Sequence, residues 1–527
     1  MQKRTPKKAS KVDYRLLYKR KIVDFLESLK DKEYTVWQMN ESMKKLFSMG
    51  EQVVQVCLAK LRENDEVLAP VVCYALEFAD NYDVVAPLMD ILIMPDISDK
   101  VKARILTVLS HYGVDAGELP LNMIMKDFDR VASESLTEML EDIDKDYFLI
   151  LYILDDMEEF PPDMKLSYVK DIGDLKDERA VKLLEIIASM DDIPLAQEAI
   201  KALGKIKSGK SLFALSRLAN LINDDCTRRI VEKEIQRLKF SGVQMEIPPS
   251  PVKLANPVKI IVSSIDGLGS RALWIAWKNP LKTRKLTSMN LLLNADTGIK
   301  DCWGVPQIST REFNSSIKDL SKTTLIAECN MEYAITLIRD ALHLNQEKGI
   351  EMPYQFFFWK HLLEQNYNLK PKVYKPSFEK YDMEEILNNQ EYFKKTFDLF
   401  NYRLFDDWFI AEPRVYDYAD ENRSRKGYII KKMTQQRAEK LFSKFTQELI
   451  EPQIHVIKRM MELSADFLDR AGQKELAKVA LSALLHMNIR PLYYHPFIQR
   501  MIIESIRVAL NNMKNGFDMR VNPDAFE

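Results

Sequence analysis

The chain has 527 residues, 46% of them hydrophobic and 29% charged, the mix of a globular protein long enough for about three domains. Glycine fills only 15 positions, about 3% against a usual share near 7%, which counts against propellers, barrels and glycine-rich dinucleotide folds and leaves a bias towards helix. With 76 basic and 78 acidic residues the net charge is −2, so the surface as a whole is not built for a polyanion.

Cys57, Cys73, Cys226, Cys302 and Cys329 are widely spaced, with no C-x-x-C pair, the usage of a reducing compartment rather than a disulfide framework. The longest stretch without a charge, 479–489, is too short to cross a bilayer. The basic head of the chain leads into an amphipathic, acidic segment at 22–27 rather than an apolar signal core. A cytoplasmic protein without a membrane partner is expected.

Residues 1–21 carry nine Lys/Arg, including Lys7, Lys8 and Lys11, and one acid, a net +8 that leaves −10 on the remainder. With little to bury, they read as a disordered tail. From about 22 to 247 the pattern is helical. Ala75-Leu76-Glu77-Phe78 leading to Val84–Leu88 matches Val108-Leu109-Ser110-His111 leading to Gly117–Leu121 at an offset of 33. Ile172-Gly173-Asp174-Leu175 before Ala180, Val181, Leu183 and Leu184 matches Leu203-Gly204-Lys205-Ile206 before Ser211, Leu212, Ala214 and Leu215, the two glycines lying 31 apart. Each unit reads as helix, tight turn, helix.

These units resemble HEAT-like repeats of the short bacterial form, with Leu-Gly or Ile-Gly closing one helix. Residues 197–221 carry the likeness best, and it extends over about 51–240. It implies an α-solenoid whose units bury their apolar faces by stacking on their neighbours.

Pro248-Pro249-Ser250-Pro251 and Pro257 make 248–257 an extended linker. The period then switches to 2. Strands are expected at 258–265, 271–277, 286–293 and 299–305, joined by short turns that favour an antiparallel meander, with a further strand at 323–329. Ser309-Thr310-Arg311-Glu312 is a capping box, and Asn330 caps a helix that Gly349 stops. A small α+β domain over 258–370 follows from this. Residues 371–516 return to long amphipathic helices, including 453–470 and 474–487 with Ala471-Gly472-Gln473 as their turn, and 517–527 form a tail. The fold class is mainly α: a helical-repeat half, a small antiparallel α+β domain, and a helical C-terminal domain.

Three patterns invite chemistry. Gly204-Lys205-Ile206-Lys207-Ser208-Gly209-Lys210-Ser211 satisfies G-x-x-x-x-G-K-[ST], yet a helix rather than a buried strand precedes it. The matching turn one unit earlier, Lys176-Asp177-Glu178-Arg179, suits no nucleotide, so Gly204, Gly209, Lys210 and Ser211 read as a repeat turn. Asp296-Thr297-Gly298 has the letters of an aspartic-protease triplet but no second triplet, and reads as a hairpin turn. The six histidines show no metal-binding spacing, and His343 with Glu347 reads as a surface contact. Trp274 and Trp277 should face opposite sides of a strand, one in the core and one exposed. The run Tyr354-Gln355-Phe356-Phe357-Phe358-Trp359 is too dense for one helix face and reads as interdomain packing.

Charge is strongly polarised. Residues 127–163 hold thirteen acids, among them Asp155, Asp156, Glu158 and Glu159, and two bases; 423–444 hold eight bases, including Arg423, Arg425, Lys426, Lys431 and Lys432, and one acid. These are the candidate partner-binding residues, set against plain solvated helix faces. The function expected is a non-catalytic scaffold that binds a protein partner, without cofactor or metal. The alternatives are a nucleic-acid or ribonucleoprotein binder working through the tail and 423–444, and an enzyme of unknown class. Some HEAT-like proteins are enzymes, but their catalytic positions find no match here.

Overall fold

A computed structural model describes residues 14–30, 36–50, 52–115, 119–222, 224–248, 254–282, 284–489 and 491–521. The fold is mainly helical with a small antiparallel sheet in the middle. The chain forms two compact units, Met1–Asp142 and Ile143–Glu527. The division falls within the expected helical half, so the helices from 143 onward group with the sheet and the C-terminal helices.

The first unit holds α1 (Tyr14–Glu27), α2 (Val36–Phe47), α3 (Gln52–Arg62), α4 (Ala69–Phe78), α5 (Val85–Leu92), α6 (Asp99–His111), the single turn α7 (Leu121–Ile124) and most of α8 (Phe128–Lys145). Its core is an aliphatic seam, with Leu26, Met43, Val53, Val72, Leu76, Leu88 and Ile105 buried together. Hydrogen bonds at long spacing tie the layers. The Tyr112 hydroxyl donates to the Leu76 carbonyl (2.6 Å) and accepts from the Asn81 N–H (3.1 Å), and Ser98 N–H donates to Asn64 Oδ1 (2.8 Å). Buried Lys102 donates to the Ile124 carbonyl, and Asp99 accepts from the N–H groups of Lys126 and Asp127, which fixes the entry to α8. Of the 33-residue match, the first helices α4 and α6 are alike in kind. The second differ: α5 is a full helix, whereas its counterpart is the four-residue α7, and Gly117 and Glu118 lie outside the described residues.

The second unit opens with α9 (Ile150–Glu159), α10 (Pro162–Asp174), α11 (Val181–Ile187), α12 (Ile193–Lys205), α13 (Gly209–Leu221) and α14 (Asp225–Phe240). Side-chain caps start the last three: Asp192, Ser208 and Asp224 accept from the N–H groups of Leu195, Ser211 and Thr227. Helix α10 packs on α12, α12 on α14, and α11 on α13. The glycines set the approach. A Cβ on Gly173 would lie 2.6 Å from Ala202 Cβ and 2.8 Å from its Cα, and one on Gly204 would meet the carboxylate of Glu234. Each glycine thus lies against a residue about 30 positions further on. Cross-links keep the same step, Lys205 to Asp174 (2.7 Å) and Arg217 to Glu185 (3.4 Å).

The sheet comprises β1 (Lys259–Ser263), β2 (Ser270–Lys278), β3 (Leu286–Asn294) and β4 (Gly298–Ile308), with β5 (Ile326–Glu328) added beside β1, all antiparallel in the order β4-β3-β2-β1-β5. The linker core at 249–253 lies outside the described residues. Between β4 and β5 runs α15 (Thr310–Thr323), opened by the capping box of Ser309 and Glu312. After β5 comes α16 (Met331–Lys348), capped by Asn330 and ended by Gly349 at φ +65°. One face of the sheet packs Ile261, Ala276 and Leu286 on Phe313 and Ile317 of α15. Trp274 lies on this face, half-buried against Phe313 rather than exposed as expected, because α15 covers it. Trp277 is buried on the opposite face.

Helix α17 (Tyr354–Leu363) follows, then α18 (Met383–Asn388), α19 (Gln390–Lys395) and α20 (Pro413–Asn422). The expected run of long helices is interrupted here by the hairpin β6 (Arg423–Ser424) and β7 (Gly427–Ile430), and resumes in α21 (Gln435–Phe445), α22 (Ile454–Arg470), α23 (Lys474–His486) and α24 (Pro496–Lys514). Gly472, at φ +77°, makes the turn between α22 and α23. The expected tail is anchored at its start: Arg520 pairs with Asp417 and Asp420 of α20, each at 2.9 Å.

Candidate functional site

The segment with the letters of a phosphate loop is used up internally. Helix α12 runs into it, and Ser208 caps α13 directly after. The Ser211 hydroxyl is buried and donates to the Leu203 carbonyl, Lys210 pairs with Glu178 of the preceding turn, and Gly209 is backed by Gln244 and Glu246, 2.5 and 2.6 Å from where its Cβ would be. Gly204 faces Glu234 in α14. A phosphate at this turn would displace the serine and meet three carboxylates nearby. Titration with labelled ATP or GTP plus magnesium is expected to show no saturable micromolar binding. Binding that vanishes in Lys210→Ala would contradict this.

The Asp-Thr-Gly triplet forms the β3–β4 turn. Asn294 Oδ1 accepts from Asp296 and Thr297 N–H, Gly298 sits at φ +91° against Asn345 and the Ala341 carbonyl, and Asp296 pairs with Lys348 (2.5 Å). His343 and Glu347 form the expected surface pair at 3.5 Å. Burial pushes the Cys57 and Cys73 thiols up to about 12 and Cys329 to about 11, far from nucleophilic thiolates. Among the described residues no cluster of three or more His, Cys, Asp or Glu is arranged to hold a metal ion.

Two acids at the end of the acidic stretch, Asp155 and Glu158, lie with Asp191 and Asp192 against the chain's own aromatic helix. α17 is buried on every side, which explains its density of large rings. Phe358 meets Tyr147 (5.0 Å) and Phe148 (5.8 Å), while Trp359 stacks on Trp277 (5.7 Å, 15° between planes) and reaches Phe148. Its N-terminal end, where the helix dipole is positive, is ringed by carboxylates. Glu158 lies near the Tyr354 N–H, Asp155 accepts from Gln355 Nε2 (2.9 Å) and Asp192 from the Tyr354 hydroxyl (3.1 Å), and Asp191 lies 3.4 Å from Met352 N. Burial raises the carboxyls of Glu158 and Asp191 above their ordinary values, and the backbone donors pull them back. Gly304 on β4 lets this assembly close, since a Cβ there would lie 2.5 Å from Leu151 and 3.0 Å from the Trp359 ring. Of the four acids singled out from sequence, Asp155 and Glu158 are therefore engaged within the chain. All four are exposed on α9, and partial burial with neighbouring acids raises the Asp156 carboxyl.

The basic segment is exposed and is not helical at its start. In place of a helix face, Arg423–Ser424 and Gly427–Ile430 form a hairpin whose turn is Arg425-Lys426. Gly427, at φ +136°, and the strand-favouring Tyr428-Ile429-Ile430 explain the difference, since no helix accommodates that glycine conformation. β7 packs on α24, and so does α21. Arg423, Arg425, Lys426 and Lys432 are exposed, as are Tyr428 and Ile429, and the Arg423 guanidinium lies over the Tyr428 ring at 4.9 Å. Lys431 is the exception, its ammonium donating to the Glu421 carbonyl. Arg423, Arg425 and Lys426 thus lie exposed on one hairpin, with exposed Lys432 just after it. Lys7, Lys8 and Lys11 lie outside the described residues. No described helix is long and apolar enough to cross a membrane.

Neither a scan against protein-family models nor a search of curated proteins finds a match to this chain.

Proposed function

We propose that the chain is a non-catalytic scaffold: a HEAT-like stack from α9 to α14 that carries the α+β domain through α17 and offers the β6–β7 hairpin to a protein partner. The observation that carries the reading is the repeated glycine contact, Gly173 on Ala202 and Gly204 on Glu234, which is how equivalent helices of a stacked array would approach one another. The polar outer side of α14, with Arg229, Glu232, Lys233 and Gln236, fits a capping unit that ends such a stack. Because Asp155 and Glu158 face α17 of the same chain, the hairpin is the better candidate for an external partner. The test is a photo-crosslinking amino acid at Ile429, with a second at exposed Met164 as control, activated in cells. One recurrent protein adduct from Ile429 alone is expected; equal, diffuse labelling from both positions would contradict the reading.

A second reading, nucleic-acid binding, is favoured by the pairing of exposed cations with a stacked tyrosine, a combination that holds bases as well as phosphates. It predicts weak, non-specific binding at low salt. With five to eight phosphate contacts from the hairpin and the basic tail, affinity should fall by roughly two to four decades between about 50 and 200 mM salt. Filter binding of the full chain and of a deletion of residues 1–12 measures this. Tight binding that survives physiological salt and needs the tail would put this reading first.

A further inference from the structure

The charges around the buried Arg271 of β2 are matched within the chain. Arg271, Arg459 and Arg470 stand among Asp340, Asp466 and Glu462, and the cavity beside them has about 20 Å³, room for one water. A second cavity in this unit is of another kind. It is half open and has about 280 Å³. The end of α15 with β5, the loop at 402–404 and the turn from α22 to α23 supply its lining. It exists because β5 is only three residues long and ends the sheet, so no strand fills the space beyond Ile326.

Its walls are aliphatic: Leu404 and Leu468 are buried, and Leu325, Ile326 and Leu476 are half-buried around it. The hydroxyls nearby are already used, Thr324 with Ser264 (2.7 Å) and Ser321 with the Lys318 carbonyl (2.7 Å). Three polar groups are not. Arg403 Nη1 donates to the Ser321 carbonyl (3.2 Å), which holds the guanidinium between two lining residues, while its Nε and Nη2 have no protein partner among the described residues. The Tyr402 hydroxyl and the Gln473 side-chain amide are likewise without one. Arg403 is the single charged residue of the lining, and no carboxylate pairs with it.

Aliphatic walls with one orienting cation and two further hydrogen-bonding groups are the make-up of a small-molecule site. The free guanidinium edge presents two parallel N–H groups, the geometry a carboxylate accepts. A multiply charged phosphate would meet one cation and five aliphatic side chains, and an amine would be repelled. An engineered cavity of about 150 Å³ holds benzene, so this one has room for roughly ten to twelve non-hydrogen atoms. We infer that the cavity binds a free medium-chain monocarboxylate, its chain against Leu404, Leu468 and Leu476 and its carboxylate on Arg403. The site does not rest on the scaffold reading.

The test is calorimetric titration of the full chain with octanoate, and with octan-1-ol and octylamine as probes of equal chain length. Octanoate is expected to bind saturably with a Kd on the order of 0.1–1 mM, at least about tenfold tighter than either of the others. Arg403→Gln should abolish that preference for octanoate while leaving the weak binding of octanol. Leu476→Trp, which fills the cavity and keeps the charge, should weaken both. Should Leu476→Trp fail to fold, the Arg403 comparison decides alone, since that exposed side chain can be replaced without touching the core. No saturable octanoate binding in the millimolar range, octanol or octylamine bound as tightly, or octanoate affinity unchanged in Arg403→Gln would each overturn the proposal.

Discussion

Trp359→Ala is expected to lower the unfolding free energy by about 3–5 kcal/mol, the range for removing a large buried ring. Trp359 is fully buried and stands where three parts of the second unit meet. Trp277 from the sheet stacks on it, Phe148 approaches it from the start of α9, and Gly304 leaves room for it on β4. Its indole N–H has no hydrogen-bond partner among the described residues, so the loss is one of packing. Trp359→Phe should therefore be much milder than the alanine variant. Urea unfolding of the full chain followed by far-ultraviolet circular dichroism measures both. An alanine variant within about 0.5 kcal/mol of the parent would mean that α17 is not docked.

Leu203→Ala carries the second large effect, about 2–5 kcal/mol. Leu203 is wholly buried in α12, one residue before the glycine that α14 packs against, and its carbonyl accepts the Ser211 hydroxyl. The leucine thus links α12 to α13 through their tight turn. Ile193, half exposed at the start of the same helix, is the internal control and should change stability by less than about 0.5 kcal/mol on conversion to alanine. Equal effects at the two positions would show that the apolar stripe of α12 had been assigned to the wrong face.

Local chemistry carried most of the legible signal. The capping box at Ser309, the Asn330 and Gly349 limits of α16, the β3–β4 turn at Asp296-Thr297-Gly298 and the strands themselves are written in neighbouring residues, and each is found at or within a few residues of its expected place. The dense aromatic run was legible as packing because no single helix face could hold it. Three features were not legible, because each depends on residues distant in sequence. The role of Asp155 and Glu158 depends on a helix 200 residues away. The hairpin at 423–430 was masked by its lysines and arginines, which suit an exposed helix equally well; Gly427 before Tyr428-Ile429-Ile430 was the available signal. Arg271 sits in a strand whose alternation gave no reason to expect a buried charge. The short α7 also shows how the 33-residue match in the first unit fades: Pro120 opens that turn, and α8 begins within a few residues.

The central claim, that equivalent helices of the second unit stack in register, is tested most directly by the sign of one substitution. In an isolated helix, Gly173→Ala would stabilise by about 0.5–1 kcal/mol, because alanine loses less backbone freedom than glycine. In the stack, the new methyl would come within 2.8 Å of Ala202 Cα, a backbone atom that can move only if α12 moves. Overpacking of this kind typically costs about 1–3 kcal/mol. Urea unfolding of Gly173→Ala, Ala202→Gly and the double variant gives both the sign and the coupling. Stacking predicts that Gly173→Ala is destabilising and that Ala202→Gly recovers part of the loss. A stabilised Gly173→Ala whose effect simply adds to that of Ala202→Gly would contradict it.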